Sequence, residues 1–294
     1  MVETSQGIRR QKFMYDQTVM RLAMQAVKIR RKALEAIQAA NSGHVGGSLS
    51  VIDILTVLYF EKMHIDPKNP KWDNRDRFVL SKGHCTPAMY ATLALRGFFP
   101  VEDLSSFRNI DSYLSGHVEM RHVPGIDMSA GSLGQGLSAA IGMALSAKVY
   151  KKNFRVYSVV GDGEIQEGQI WEAAMAAGNY KLDNLMVFVD NNNLQLDGTL
   201  EEVMSPYPIE EKFKAFKWNV MTIDGHNYRQ ISDAVDLASR TKEVPTIIIA
   251  KTIKGKGVSF MENNVKWHGS TPSSEEFAQA FKEIDEAYKK LEVA

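Results

Sequence analysis

Two short apolar runs, residues 156–160 and 185–189, do most to limit what this chain can fold into. Neither alternates apolar with polar residues, so both are expected to be strands covered on both faces, as in a parallel sheet. Between them Ile170, Ala173, Ala174 and Ala177 recur at helical spacing, with Glu167 and Gly168 at the helix start. The pattern predicts a strand–helix–strand unit whose two strand ends lie side by side. In an open α/β sheet a ligand binds just beyond such ends.

Both predicted strands end in residues suited to an anion and a hard cation. Gly161-Asp162-Gly163 follows the first and Asp190-Asn191-Asn192-Asn193 the second. Asp162 supplies one carboxylate, Asn192 a neutral side-chain oxygen, and the backbone beyond it a carbonyl, most simply that of Leu194. Such a set does not cage a metal by itself. It suits magnesium or calcium whose shell is completed by phosphate oxygens and water. Gly161 and Gly163 let the backbone approach a phosphate, and N–H groups at the next helix start favour its charge. A capped turn and an Asn-rich surface loop would use the same residue types. The occurrence of both, at successive strand ends, favours the site.

The order GDG…EG…WEA…NN resembles the thiamine-diphosphate motif in the form that transketolases carry. The resemblance implies that Asp162, Asn192 and the Leu194 carbonyl hold a Mg2+ ion, with Ca2+ or Mn2+ as substitutes, that bridges the cofactor's diphosphate. Further matches follow in the family's order: Ser42-Gly43-His44, the segment DRFVLSKGH ending at His84, Ser115-Gly116-His117, GSLGQG over 131–136, and Trp267-His268-Gly269. They imply that His44 faces the substrate, that His84 contacts diphosphate or substrate, and that His117 touches the hydroxyls beside a ketose carbonyl. They also imply that His268 contacts both the diphosphate and the reacting carbonyl, and that Gly131 and Leu133 lie against the cofactor rings. Glu167 and Glu172 correspond to residues of a subunit interface joining two active sites, Glu167 beside the cofactor. Val45 and Val118 stand where the family usually has proline after the histidine. Of seven histidines, five touch a glycine; the fifth, His226, sits in a DGH turn between strand and helix and reads as structural.

The remaining sequence agrees with one large α/β domain, an open, mostly parallel sheet with helices on both faces. Residues 1–16 read as a loose arm and 17–294 as the domain. Helices are expected over 17–40, 54–60, 137–150, 228–239 and 273–291, and strands over 218–223 and 246–251. The cluster Arg30-Arg31-Lys32 reads as a solvated face. The loop 251–257, KTIKGKG, lacks the order of a P-loop. Lys plus Arg and Asp plus Glu balance at 35 each, which argues against a nucleic-acid partner. The single cysteine, Cys85, excludes an internal disulfide and reads as a packed residue. No apolar run approaches the ~20 residues of a membrane span, and no signal-peptide core is present, so the expected location is cytoplasmic.

The resemblance implies transfer of a two-carbon ketol unit between sugar phosphates, as in the pentose phosphate pathway. Transketolases also carry a pyrimidine-binding domain, whose glutamate activates the cofactor, and a C-terminal domain. Neither is visible in this sequence. The chain is therefore expected to be the N-terminal subunit of a split transketolase, paired with a separate C-terminal subunit in a heterotetramer. Three alternatives stay open on sequence alone: another thiamine enzyme such as 1-deoxyxylulose-5-phosphate synthase, a catalytically idle scaffold subunit, and a plain nucleotide-binding domain.

Overall fold

The computed structural model describes residues 5–293, with side chains described from Asp16. The elements are, in order, α1 (Ser5–Ala40), α2 (Val45–Val57), β1 (Arg77–Leu80), α3 (Thr86–Arg96), α4 (Gln135–Val149), β2 (Val156–Gly161), α5 (Gly168–Asn179), β3 (Leu185–Asn191), α6 (Leu200–Val203), α7 (Ile209–Ala215), β4 (Asn219–Asp224), α8 (Tyr228–Arg240), β5 (Thr246–Lys251) and α9 (Ser274–Glu292). The strands form one sheet in the order β1-β2-β3-β5-β4, and every pairing is parallel. A parallel sheet needs cover on both faces. One core joins α1, α2, α3, α8 and α9 to one face, and a second joins α4, α5 and α7 to the other. The fold is thus the expected open α/β sheet.

Three expectations need correction. The arm 1–16 is described only from Ser5, and there it is already α1. Apart from Gly7, residues such as Gln6, Arg9, Lys12 and Met14 are good helix formers and extend the helix that the apolar pattern marks only from Gln17. The second helix begins at Val45 rather than at residue 54, with His44 as its extended N-cap. Gly46 and Gly47 are tolerated there because the packing is close: a Cβ on Gly46 would lie 2.9 Å from the Trp267 carbonyl oxygen. The third concerns Arg30, which is buried. Its guanidinium pairs with Asp53 at 2.5 Å and donates to the Lys256 carbonyl at 3.2 Å. An i, i+3/i+4 reading of α1 places it at the edge of the apolar face, and only α2 supplies the carboxylate that draws it inward.

Asp53 also accepts from the Tyr228 hydroxyl (2.6 Å) and faces His226 Nδ1 (2.7 Å). His226 Nε2 accepts from the Ile253 backbone N–H at 2.8 Å, so Nδ1 carries the proton and donates to Asp53. His226 is therefore structural, as expected: it clamps the loop after β5, which carries Lys254.

Candidate active site

Because all strands run the same way, β1, β2, β3 and β5 deliver their following loops to one edge of the sheet. Gly161 pairs with Asp190, so Asp162 and the Asn191–Asn193 turn meet directly beyond the sheet. Asp162 accepts from the backbone N–H of Gly163 (2.9 Å) and Asn193 (2.5 Å) and from the Asn191 amide (3.0 Å). It is only 2% exposed. Burial and the charge of Asp190 push its carboxyl up to about 6. Asn192 turns its amide oxygen to the Leu194 N–H at 3.1 Å.

Two buried lysines face these oxygens. Lys82, from the SKGH turn after β1, pairs with Asp190 and donates to the Gly47 carbonyl at 3.2 Å. Burial works against its charge, yet Asp190 outweighs burial and holds the ammonium well above its ordinary value. Lys254 donates to the Leu194 carbonyl at 2.9 Å and to His268 Nδ1 at 2.8 Å. Burial and the neighbouring Lys82 pull it down to about 8.

Above this floor the four Gly-flanked histidines converge. Ring centroids of His44 lie 5.0 Å from His84, 6.1 Å from His117 and 5.8 Å from His268, and His84 stacks on His268 at 5.6 Å. Burial lowers all four, His44 to about 4 and His268 to about 3, with Arg108, Lys82 and Lys254 adding to the effect. In the free protein at neutral pH these rings are neutral, poised to donate and accept hydrogen bonds rather than to act as charged acids. His44 Nδ1 and Arg108 Nε are buried without a partner among the described residues. Arg108 reaches Ser42 Oγ at 2.5 Å, at the side of His44 and His117.

The cavity enclosed here is about 300 Å3. His84, Leu133, Gly161, Asp162, Gly163 and Glu167 line it, as do Asn192, Leu194, Lys254 and His268. Gly131 lies beside His117, where a Cβ would come 3.1 Å from the ring. Glu167 and Glu172 are both exposed on the α5 side. The sequence-selected residues thus gather at one edge. Buried Glu164 binds the loops together, accepting from Ser81 Oγ at β1 and from the N–H groups of Gly134 and Gly161, both at 2.9 Å.

The donor set suits a diphosphate and a divalent ion. One buried carboxylate, one amide oxygen and one backbone carbonyl are hard oxygen donors. The ammonium of Lys254 on the Leu194 carbonyl shows that this oxygen attracts a cation. Among the described residues no group of three or more His, Cys, Asp and Glu is placed to hold a metal ion. Sequence reasoning passed over Lys82, Asp190, Glu164 and Arg108. The only signal among them was Lys82, which stands inside the DRFVLSKGH segment two residues beyond β1.

Fold and site together define a diphosphate-binding α/β domain. Residues 22–293 match the transketolase, thiamine diphosphate binding domain family, and the chain belongs to the transketolase family. It is 48% identical over 264 residues to a 6-deoxy-6-sulfo-D-fructose transketolase subunit of Clostridium sp. (strain MSTE9), covering 90% of this chain and 96% of the relative. An apulose-4-phosphate transketolase subunit from Phocaeicola vulgatus is 44% identical, with 92% and 96% covered. The structure of transketolase from Campylobacter jejuni superposes with a TM-score of 0.85 at 33% identity, over 92% of this chain but 45% of that one. The chain therefore spans less than half the length of that transketolase and nearly all of the two subunits.

Proposed function

We propose that this chain is the N-terminal subunit of a split transketolase, moving a two-carbon ketol unit from a ketose to an aldose with thiamine diphosphate and Mg2+. The observation that carries the reading is the convergence of four histidines over Asp162 and Asn192 at one sheet edge. Asp162, Asn192 and the Leu194 carbonyl would hold the metal, and Lys82, Lys254 and His84 would meet the diphosphate. Gly131 and Leu133 would flank the rings. When bound, the cofactor supplies the carbanion chemistry that breaks and remakes the bond beside a ketose carbonyl.

His44, His117 and His268 border the remaining space. As neutral imidazoles they can donate a hydrogen bond to a sugar carbonyl or hydroxyl, and can take or return a proton as charge changes there. His44 and His268 are half-buried and His117 is exposed at the mouth, so the free chain leaves this side of the site open. Arg108, with a buried Nε still unpaired among the described residues, supports a sugar bearing an anionic end. The two subunits named for apulose 4-phosphate and 6-deoxy-6-sulfo-D-fructose extend the candidates beyond pentose phosphates. A partner subunit would supply the activating glutamate, and the exposed Glu167/Glu172 side would meet a second copy in a cytoplasmic heterotetramer.

The test is ketol transfer from xylulose 5-phosphate to ribose 5-phosphate, repeated with apulose 4-phosphate and 6-deoxy-6-sulfo-D-fructose as donors. It is run on this chain alone and with a transketolase C-terminal subunit. Activity with any donor only in the mixture is expected. Full activity of the chain alone would refute the split arrangement, and inactivity of an assembled, cofactor-loaded complex with every donor would refute the reaction.

A further inference from the structure

A larger cavity, about 740 Å3, opens at the opposite end of the sheet. Tyr157, the second residue of β2, forms part of it, while Asp162 follows the other end of the same strand, roughly 16 Å away at strand rise. The two sites are therefore separate. Lys151 and Lys152 follow α4 on one side, Arg155 enters β2, and Trp72 and Tyr150 provide flat apolar surfaces.

The local charges are unevenly matched. Lys62 is met by Asp236 at 2.8 Å and Glu61 at 3.3 Å. Buried Asp76 is engaged by the backbone N–H groups of His64 and Arg155, each at 2.8 Å. Lys152 has only a 3.8 Å contact with exposed Asp73. Among the described residues Lys151 and Arg155 have no ion pair, though Arg155 donates to the Ser239 carbonyl at 2.8 Å. Tyr157 is 2% exposed, and its hydroxyl, unpaired among the described residues, is not one of the fully enclosed polar atoms: it borders the cavity. Burial and Asp76 hold that hydroxyl far above the ordinary phenol range, so it stays a neutral donor. A hydroxyl held at a cavity wall with no protein partner is free to donate to a ligand there.

We propose that this cleft binds a phosphate ester carrying a flat ring, of the nucleotide class. Lys151, Lys152 and Arg155 take the phosphate, Tyr157 donates to it from the floor, and Trp72 and Tyr150 flank the ring. Charge-assisted bonds to phosphate from several cations supply affinity, and the aromatic walls select a planar group.

Calorimetric titration of the full chain with AMP, and separately with adenosine, tests the site. Saturable AMP binding is expected, with adenosine at least about tenfold weaker. The double variant K151A/K152A, on exposed residues, should lose AMP affinity by about tenfold or more. Tyr157→Phe, which removes one oxygen, should lose several-fold, with melting temperatures of both variants unchanged. AMP binding that is equal in all three proteins, absent up to about 10 mM, or no tighter than adenosine binding would overturn the assignment.

Discussion

At the scale of single residues, the site is a balance of buried charge. Asp162 stands among backbone and amide donors but close to Asp190, and burial lifts its carboxyl to about 6. A divalent ion there would relieve that strain on the carboxylate. Asp162→Ala or Asn192→Ala should therefore weaken magnesium-dependent thiamine diphosphate binding by at least ~10-fold, since even indirect losses at metal sites cost that much. Calorimetry on the variants decides it: unchanged affinity in both would remove these residues from the site. The histidines bear on stability. Their values in the fold lie below the 6.5 of the unfolded chain, at about 4 for His44 and about 3 for His268. Below pH 6.5 the unfolded chain takes up protons that the folded chain refuses, so the stability held above that pH is lost as pH falls toward 4. The melting temperature of the cofactor-free chain should drop over this window, and less so in His44→Gln. Equal slopes for the two proteins would show that His44 is not the group responsible.

At the scale of elements, the site depends on turns pressed against each other. The turn after β1 sets His84 and Lys82, and it packs so closely that a Cβ on Gly83 would fall 2.3 Å from the Ala130 carbonyl oxygen. Backbone on backbone cannot yield by a rotamer change. Gly83→Ala is expected to lose about 1–3 kcal/mol of stability and to weaken cofactor binding by displacing His84, read by denaturant unfolding and titration of the same sample. Wild-type stability would mean that the 130–131 segment moves freely. The clamp of Arg30, Asp53, His226 and Tyr228 has the same logic. It holds α1, α2 and α8 together and fixes the loop that presents Lys254.

At the scale of the molecule, the proposed function makes this chain one half of a shared site. Its cavity opens beside α5, where Glu167 and Glu172 are exposed and Met175 is 56% exposed. A face of this kind fits self-association with a second copy. Glu172→Arg should shift the chain toward smaller species in light scattering, through like-charge or packing conflict at the interface. No change in mass at matched concentration would place the interface elsewhere. The strands β2, β3 and β5 were legible because strands buried on both faces leave continuous apolar runs, and the Asp162–Asn192 edge because its glycine- and Asn-rich turns are local signals. The four histidines were legible through their Gly-His motifs. What the amino-acid order alone determined is thus the central strands, the longer helices other than α3, and the chemistry at the strand ends; α3, α6 and α7 emerged only in the fold. Only the tertiary structure decided that Arg30 turns inward, that helix α2 begins at Val45, that Lys82 and Asp190 share a buried charge, and that the histidines are held neutral. Each of these depends on groups far apart in sequence meeting in the fold, where desolvation and neighbouring charges outweigh local propensity.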